Sequence, residues 1–148
     1  MLEQGTDEFG PIGHGWTYSA HPIGAAAGLA NLQMIDELGL VQNAADMGSY
    51  FLEQLRDILG DHPHVGDIRG EGLLAAIEFV ANKGSRTFFD PAKKIGPAIS
   101  AALLEEGVIA RAMPQGDILG FAPPLCLNVD EAEQIVQALA NAINTVLF

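Results

Sequence analysis

From Pro22 onwards the apolar residues Ile23, Ala26, Ala27, Ala30, Met34 and Leu38 recur at helical spacing, with Gly39 where a left-handed C-cap residue belongs, and a helix is expected over 22–38. Small residues crowd its first half, leaving room for another backbone to come close. A second stripe of Ala44, Met47 or Gly48, Phe51, Leu55 and Leu59 predicts a helix over 42–59, stopped by Gly60-Asp61-His62-Pro63. The period then shortens to two. Val65 to Arg69 and Leu73 to Val80 read as strands joined by a Gly70-Glu71-Gly72 hairpin, the second strand placing Leu73, Ala75, Ile77 and Phe79 on one face. Asp90-Pro91 supplies an N-cap and a first-turn proline for a helix through Ile95, Ile99, Ala102 and Leu103, ended by Gly107. Val108 to Ala112 is a short strand, Pro114-Gln115-Gly116-Asp117 a turn, and Ile118 to Phe121 its partner, with Pro123-Pro124 forbidding further ladder. Asn128-Val129-Asp130-Glu131 resembles a capping box opening a last amphipathic helix. These elements add up to an α+β fold: a small antiparallel sheet with helices on one side, preceded by a long helix. The opening run from Glu3 to His14 is polar and glycine-rich, and no element able to bury itself is expected there.

Composition narrows the partners. Seven Lys and Arg against nineteen Asp and Glu leave a net charge of −12 over 148 residues, and no cationic stripe exists that could neutralise a run of phosphates. Neither nucleic acid nor an anionic membrane is an expected partner. Apolar residues at 49% support a packed core and argue against disorder. No stretch reaches the roughly 20 apolar residues of a membrane helix, and the first residues lack the basic-then-apolar order of a signal peptide. A single cysteine, Cys126, cannot form an internal disulfide or a thiolate cluster, and the cytoplasm is the expected compartment.

Chemistry concentrates in Gly13-His14-Gly15-Trp16-Thr17-Tyr18-Ser19-Ala20-His21-Pro22, where hydroxyls, aromatics and glycines meet a helix start. A threonine hydroxyl and unpaired N–H groups there could hold a phosphate; the same residues could also simply cap the helix. His14 and His21 are expected to organise this loop. His62-Pro63-His64 has metal-like spacing but no third ligand nearby, so an exposed turn is expected and no metal site. Gly10 to Gly15 is no dinucleotide fingerprint, since no strand precedes it. Cys126, after an apolar strand end, is expected to be a packed, unreactive thiol.

Thr17-Tyr18-Ser19 with His21-Pro22 and an alanine-rich helix resembles the H-G-x-T-Y-S-G-H-P signature of class III, ω-type aminotransferases, which depend on pyridoxal phosphate and have the fold-type-I architecture. Arg69-Gly70-Glu71-Gly72-Leu73 with Ile77-Glu78 is similar to that family's R-G-x-G-L…I-E strand pair, and Ala122-Pro123-Pro124-Leu125 to its late P-P-L motif. The three motifs keep the family's order and cover essentially the whole chain. Ala20 departs from the usual glycine.

The resemblance implies the C-terminal portion of such an enzyme, with residues 1–21 a large-domain remnant carrying the cofactor-phosphate motif, 22–41 a bridging helix and 42–148 the small domain. It implies that Thr17 binds the pyridoxal phosphate of the neighbouring subunit in a homodimer. It further implies that Arg111 pairs with a substrate carboxylate, for which a guanidinium fork is suited; the alternative is a surface arginine paired with Asp117 or an acidic helix. Arg69 is expected to serve the strand end. The family's Schiff-base lysine lies upstream of the threonine motif, and none of Lys83, Lys93 and Lys94 matches it, so no catalytic residue is assigned and the chain alone is expected to be inactive. The implied reaction moves an amino group from an amine or ω-amino acid to a keto acid such as pyruvate. A non-catalytic α+β interaction module, binding through the alanine-rich helix, is the alternative.

Overall fold

A computed structural model describes residues 2–10, 15 and 17–148, without the side chains of Leu2 and Glu3. The chain divides into two compact units, Met1–Glu37 and Leu38–Phe148.

Among its described residues the first unit holds two helices. One, α1, runs over Leu2–Phe9 where no element was expected; Gly10, at φ +81°, donates its N–H to Thr6 O at 2.9 Å and ends it. The other, α2, runs over Pro22–Glu37, close to the range its spacing predicts, and buries none of its residues. His14 and Trp16 of the anticipated loop fall outside the described residues.

The second unit is the α+β body that the periodicities predict. Helix α3 (Leu40–Leu59) follows Gly39, which is left-handed at φ +59°. Strands β1 (Val65–Glu71) and β2 (Leu74–Phe79) form a hairpin, then α4 (Ile95–Glu105), β3 (Arg111–Ala112), β4 (Ile118–Phe121) and α5 (Val129–Leu147) complete it. The sheet order is β1-β2-β4-β3, antiparallel throughout.

Phe51, Leu55, Ile77, Phe79, Ile99, Leu103, Leu119, Leu139 and Ile143 form the centre of the core between one sheet face and the helices α3, α4 and α5. As the alternation requires, Leu73, Ala75, Ile77 and Phe79 point inward while Leu74 is exposed. The capping box is present in full: Glu131 N donates to Asn128 Oδ1 at 2.9 Å, and Asn128 N to Glu131 Oε2 at 3.0 Å. Asn43 Nδ2 on α3 donates to Leu125 O and Leu127 O at 2.6 and 3.0 Å, tying that helix to the chain after the double proline.

Local departures have identifiable causes. The hairpin loop is Gly72-Leu73, with Gly72 at φ +53° and Glu71 opposite Leu74. That tight turn lies under Gly48, where an added Cβ would come within 2.2 Å of Gly72 backbone. The Asp90-Pro91 cap opens only a 3-10 turn, Pro91–Lys93; Lys94 then turns left-handed at φ +49°. Helix α4 takes its cap from elsewhere, Gly96 N donating to Asp117 Oδ1 at 2.8 Å. The strand expected over 108–112 shortens to two residues because Val108 N donates to Leu103 O, and Ala110 O accepts from Ser100 Oγ at 2.7 Å.

Candidate functional site

Thr17 begins an exposed turn, 17–20, immediately before α2. His21 N donates to Tyr18 O at 3.2 Å and Ala25 N to His21 O at 2.9 Å, while the Tyr18 and His21 rings meet edge to face at 6.4 Å. The His21 side chain thus packs against Tyr18 at the end of the turn. Ala20 sits at φ +60°, a conformation that glycine adopts without the Cβ penalty of roughly 1–2 kcal/mol. The Thr17 hydroxyl is exposed and has no hydrogen-bond partner among the described residues, so it is free to donate to an anion.

Arg111 lies in the second unit on the edge strand β3, and its position follows from register. It pairs with Gly120 of β4; Gly120 pairs with Ala76 of β2, and Ala76 with Arg69 of β1. These four residues form one cross-strand row on the sheet face away from the core, with an arginine at each end and two small residues between. The side chain of Met113 lies against Gly120, where an added Cβ would meet its methyl at 3.2 Å.

The two arginines differ in their partners. Arg69 Nη1 donates to Asp67 Oδ2 at 2.7 Å and to Glu78 Oε2 at 3.1 Å. The bond to Asp67 first, then that to Glu78, raises its pKa further. Arg69 thus lies inside β1 rather than at the strand end expected for it, paired with two carboxylates of its own sheet face. Arg111 is exposed and has no ion pair among the described residues. Asp117, offered as its partner in the alternative reading, instead caps α4. A flexible cation at the strand edge is thereby left open to an external carboxylate. Met113 escaped the sequence reading, and Glu78 entered it only as a motif residue on the outer face of β2; only the β2–β4–β3 register shows that Arg111 shares that face.

The remaining candidates resolve plainly. Lys83 Nζ donates to Gly60 O, and Lys93 and Lys94 are exposed around the 3-10 turn. No group of three or more metal-ligating side chains occurs among the described residues. His62 and His64 are half-buried rather than on an exposed turn: His64 N donates to His62 Nδ1 at 3.2 Å, His64 Nδ1 contacts Val80 O at 3.0 Å, and both rings pack against Phe148. Burial, reinforced by His64 and Lys83, lowers the His62 pKa below 6.5. Cys126 is exposed rather than packed, since the chain after Pro124 turns at the surface and buries Leu127 instead.

Comparison with known proteins gives these sites a context. The class-III aminotransferase family model matches residues 3–143. A diaminobutyrate–2-oxoglutarate transaminase of Halomonas elongata is 56% identical over 99% of this chain, which covers 31% of that protein. A putrescine–pyruvate aminotransferase of Pseudomonas aeruginosa is 33% identical over 92% of this chain and 28% of its own length. Among solved structures, a thermostable (S)-enantioselective omega-transaminase from Thermomicrobium roseum superposes with a TM-score of 0.86 at 36% identity, over 99% of this chain and 32% of that one. The chain thus spans about a third of the length of these relatives. With the family's model matched from residue 3 to residue 143, the chain belongs to the class III aminotransferases.

Proposed function

We propose that these residues form the C-terminal part of a pyridoxal-phosphate-dependent class III aminotransferase that moves an amino group from an amine or ω-amino acid to a keto acid. In this reading residues 1–21 carry the cofactor-phosphate motif, 22–41 form a bridging helix and 42–148 the small domain. The complete enzyme is a cytoplasmic homodimer. Among the described residues no helix is long and apolar enough to cross a membrane. The observation that carries the reading is the unpaired Arg111 guanidinium on an open sheet face. The similar proteins named above pair an amine with 2-oxoglutarate or pyruvate, and both acceptors bear a carboxylate that an arginine fork would meet.

The Thr17 turn fits the cofactor's phosphate, since its hydroxyl is exposed and without a partner among the described residues. Thr17 would donate to a phosphate oxygen bound at the neighbouring subunit's site, a charge-assisted bond. When bound, pyridoxal phosphate supplies the electron sink for amino transfer, while the protein supplies orientation and recognition. Lys83, Lys93 and Lys94 do not match the Schiff-base position, and the 148 residues alone are inactive in this reading.

Arg111→Gln in the complete enzyme tests it. A lost charge-assisted hydrogen bond of about 1.5–3 kcal/mol predicts a keto-acid KM raised roughly ten- to a hundredfold, with KM for a donor lacking a carboxylate unchanged. An unchanged keto-acid KM would return Arg111 to the surface.

A further inference from the structure

Arg111 has a thioether beside it on the outer sheet face. Met113 N donates to Ile118 O at 2.9 Å, which carries the ladder one residue beyond β3 and puts Met113, two residues along, on the same face as Arg111. Its side chain folds over Gly120, with Cε and Sδ 3.2 and 3.8 Å from where a Cβ on Gly120 would stand. Gly120 is the cross-strand partner of Arg111, so the thioether fills the side-chain place opposite that arginine. Opposed Cβ positions stand roughly 4.5–5.5 Å apart, a gap that an arginine side chain spans. A thioether is a weak acceptor and leaves the guanidinium unengaged. Met113 is 36% exposed, whereas Met47 is buried in the core and Met34 lies on α2 of the first unit.

We propose that Met113 is an oxidation site whose sulfoxide engages Arg111. The oxidant is a hydroperoxide. The sulfur attacks its outer oxygen, the O–O bond breaks, an S–O bond forms, and the departing oxygen takes a proton. The sulfur thereby loses two electrons, and the hydroperoxide is reduced to an alcohol or, from hydrogen peroxide, to water. The product exchanges an apolar side chain for a polar one, with an acceptor oxygen opposite Arg111. A guanidinium that donates to this oxygen is withdrawn from an external carboxylate. The effect on substrate rests on the role given to Arg111 above; the oxidation and the bond to Arg111 do not.

The test treats the complete enzyme with hydrogen peroxide and locates the added oxygen by peptide mapping. A sulfoxide is expected at Met113, and the keto-acid KM should rise about two- to tenfold, the size of one competing hydrogen bond. The KM for a donor lacking a carboxylate should not move, which separates this effect from general damage to the fold. Methionine sulfoxide reductases should reverse the rise. Peroxide should leave the keto-acid KM of Met113→Leu where it was, and Cys126→Ser should respond as the native enzyme does. Met113→Gln, whose amide stands in for the sulfoxide, should raise the KM without peroxide. Phenylglyoxal, which modifies free guanidinium groups, reads the bond itself: Arg111 should react about two- to tenfold more slowly in the oxidised enzyme. No sulfoxide at Met113, an Arg111 rate that oxidation does not change, or an equal response in Met113→Leu overturns the proposal. If Arg111→Gln leaves the keto-acid KM unaltered while oxidation of Met113 slows Arg111, the substrate reading fails and the oxidation site stands.

Discussion

The two units use apolar residues in opposite ways. In Leu38–Phe148 the stripe of α3 buries Met47, Phe51, Leu52, Leu55 and Leu59. In Met1–Glu37 the helix α2 is as apolar in sequence, yet Ile23 is 75% exposed and Leu29 60%. Helical spacing thus predicts the helix in both cases, whereas burial depends on a partner surface. Stability of the second unit should rest on packing; that of α2 should rest on local propensity.

Truncation separates the two most strongly. Phe51→Ala opens a cavity in the core and should cost about 3–5 kcal/mol in denaturant unfolding of the second unit. Leu29→Ala, on α2, should change stability by less than about 0.5 kcal/mol. Comparable losses at the two sites would erase the contrast.

Glycine to alanine sharpens it at single-methyl resolution. At Gly48 the new methyl would collide with Gly72 backbone, and a loss of about 1–3 kcal/mol or more is expected from overpacking. At Gly28 nothing lies within 4 Å, so the same change should favour the helix by about 0.5–1 kcal/mol. Amide exchange across α2 would then slow roughly two- to fivefold.

His62 gives the second unit a pH response. Because folding lowers the His62 pKa below 6.5, the unfolded chain binds more protons there, and stability rises with pH through that window. The contribution of neutral His62 is fully present above 6.5 and is lost as pH falls through its folded value. Urea midpoints between pH 7.5 and 5 should therefore fall more steeply for the native chain than for His62→Gln; parallel profiles would contradict this.

Much of this was legible in the sequence because short-range rules decide it. The alternation in β2 determines its inner face, and Asn128 with Glu131 marks the start of α5 from four residues. Long-range partners decided the rest. Asp90-Pro91 has the chemistry of a helix cap, but Asp117, twenty-one residues beyond Gly96, caps α4. Gly48 interrupts an apolar stripe for a reason visible only when the hairpin turn lies against it. At the candidate sites, Thr17 and Arg111 were found through motifs. Asp117 is engaged by Gly96 and Glu78 by Arg69, pairings that no local pattern encodes.

The claim that the exposed turn ahead of α2 completes a cofactor site is tested most directly by pyridoxal phosphate affinity in the complete enzyme carrying Thr17→Val. The substitution keeps the shape and removes the hydroxyl, so a loss of about 1.5–3 kcal/mol should weaken binding roughly ten- to a hundredfold. In a mixed dimer with one substituted subunit, the weakened site should be the one whose lysine lies on the unsubstituted subunit. Unchanged affinity, or loss from the substituted subunit's own site, would contradict the account and leave Thr17 as a residue that merely leads into a helix.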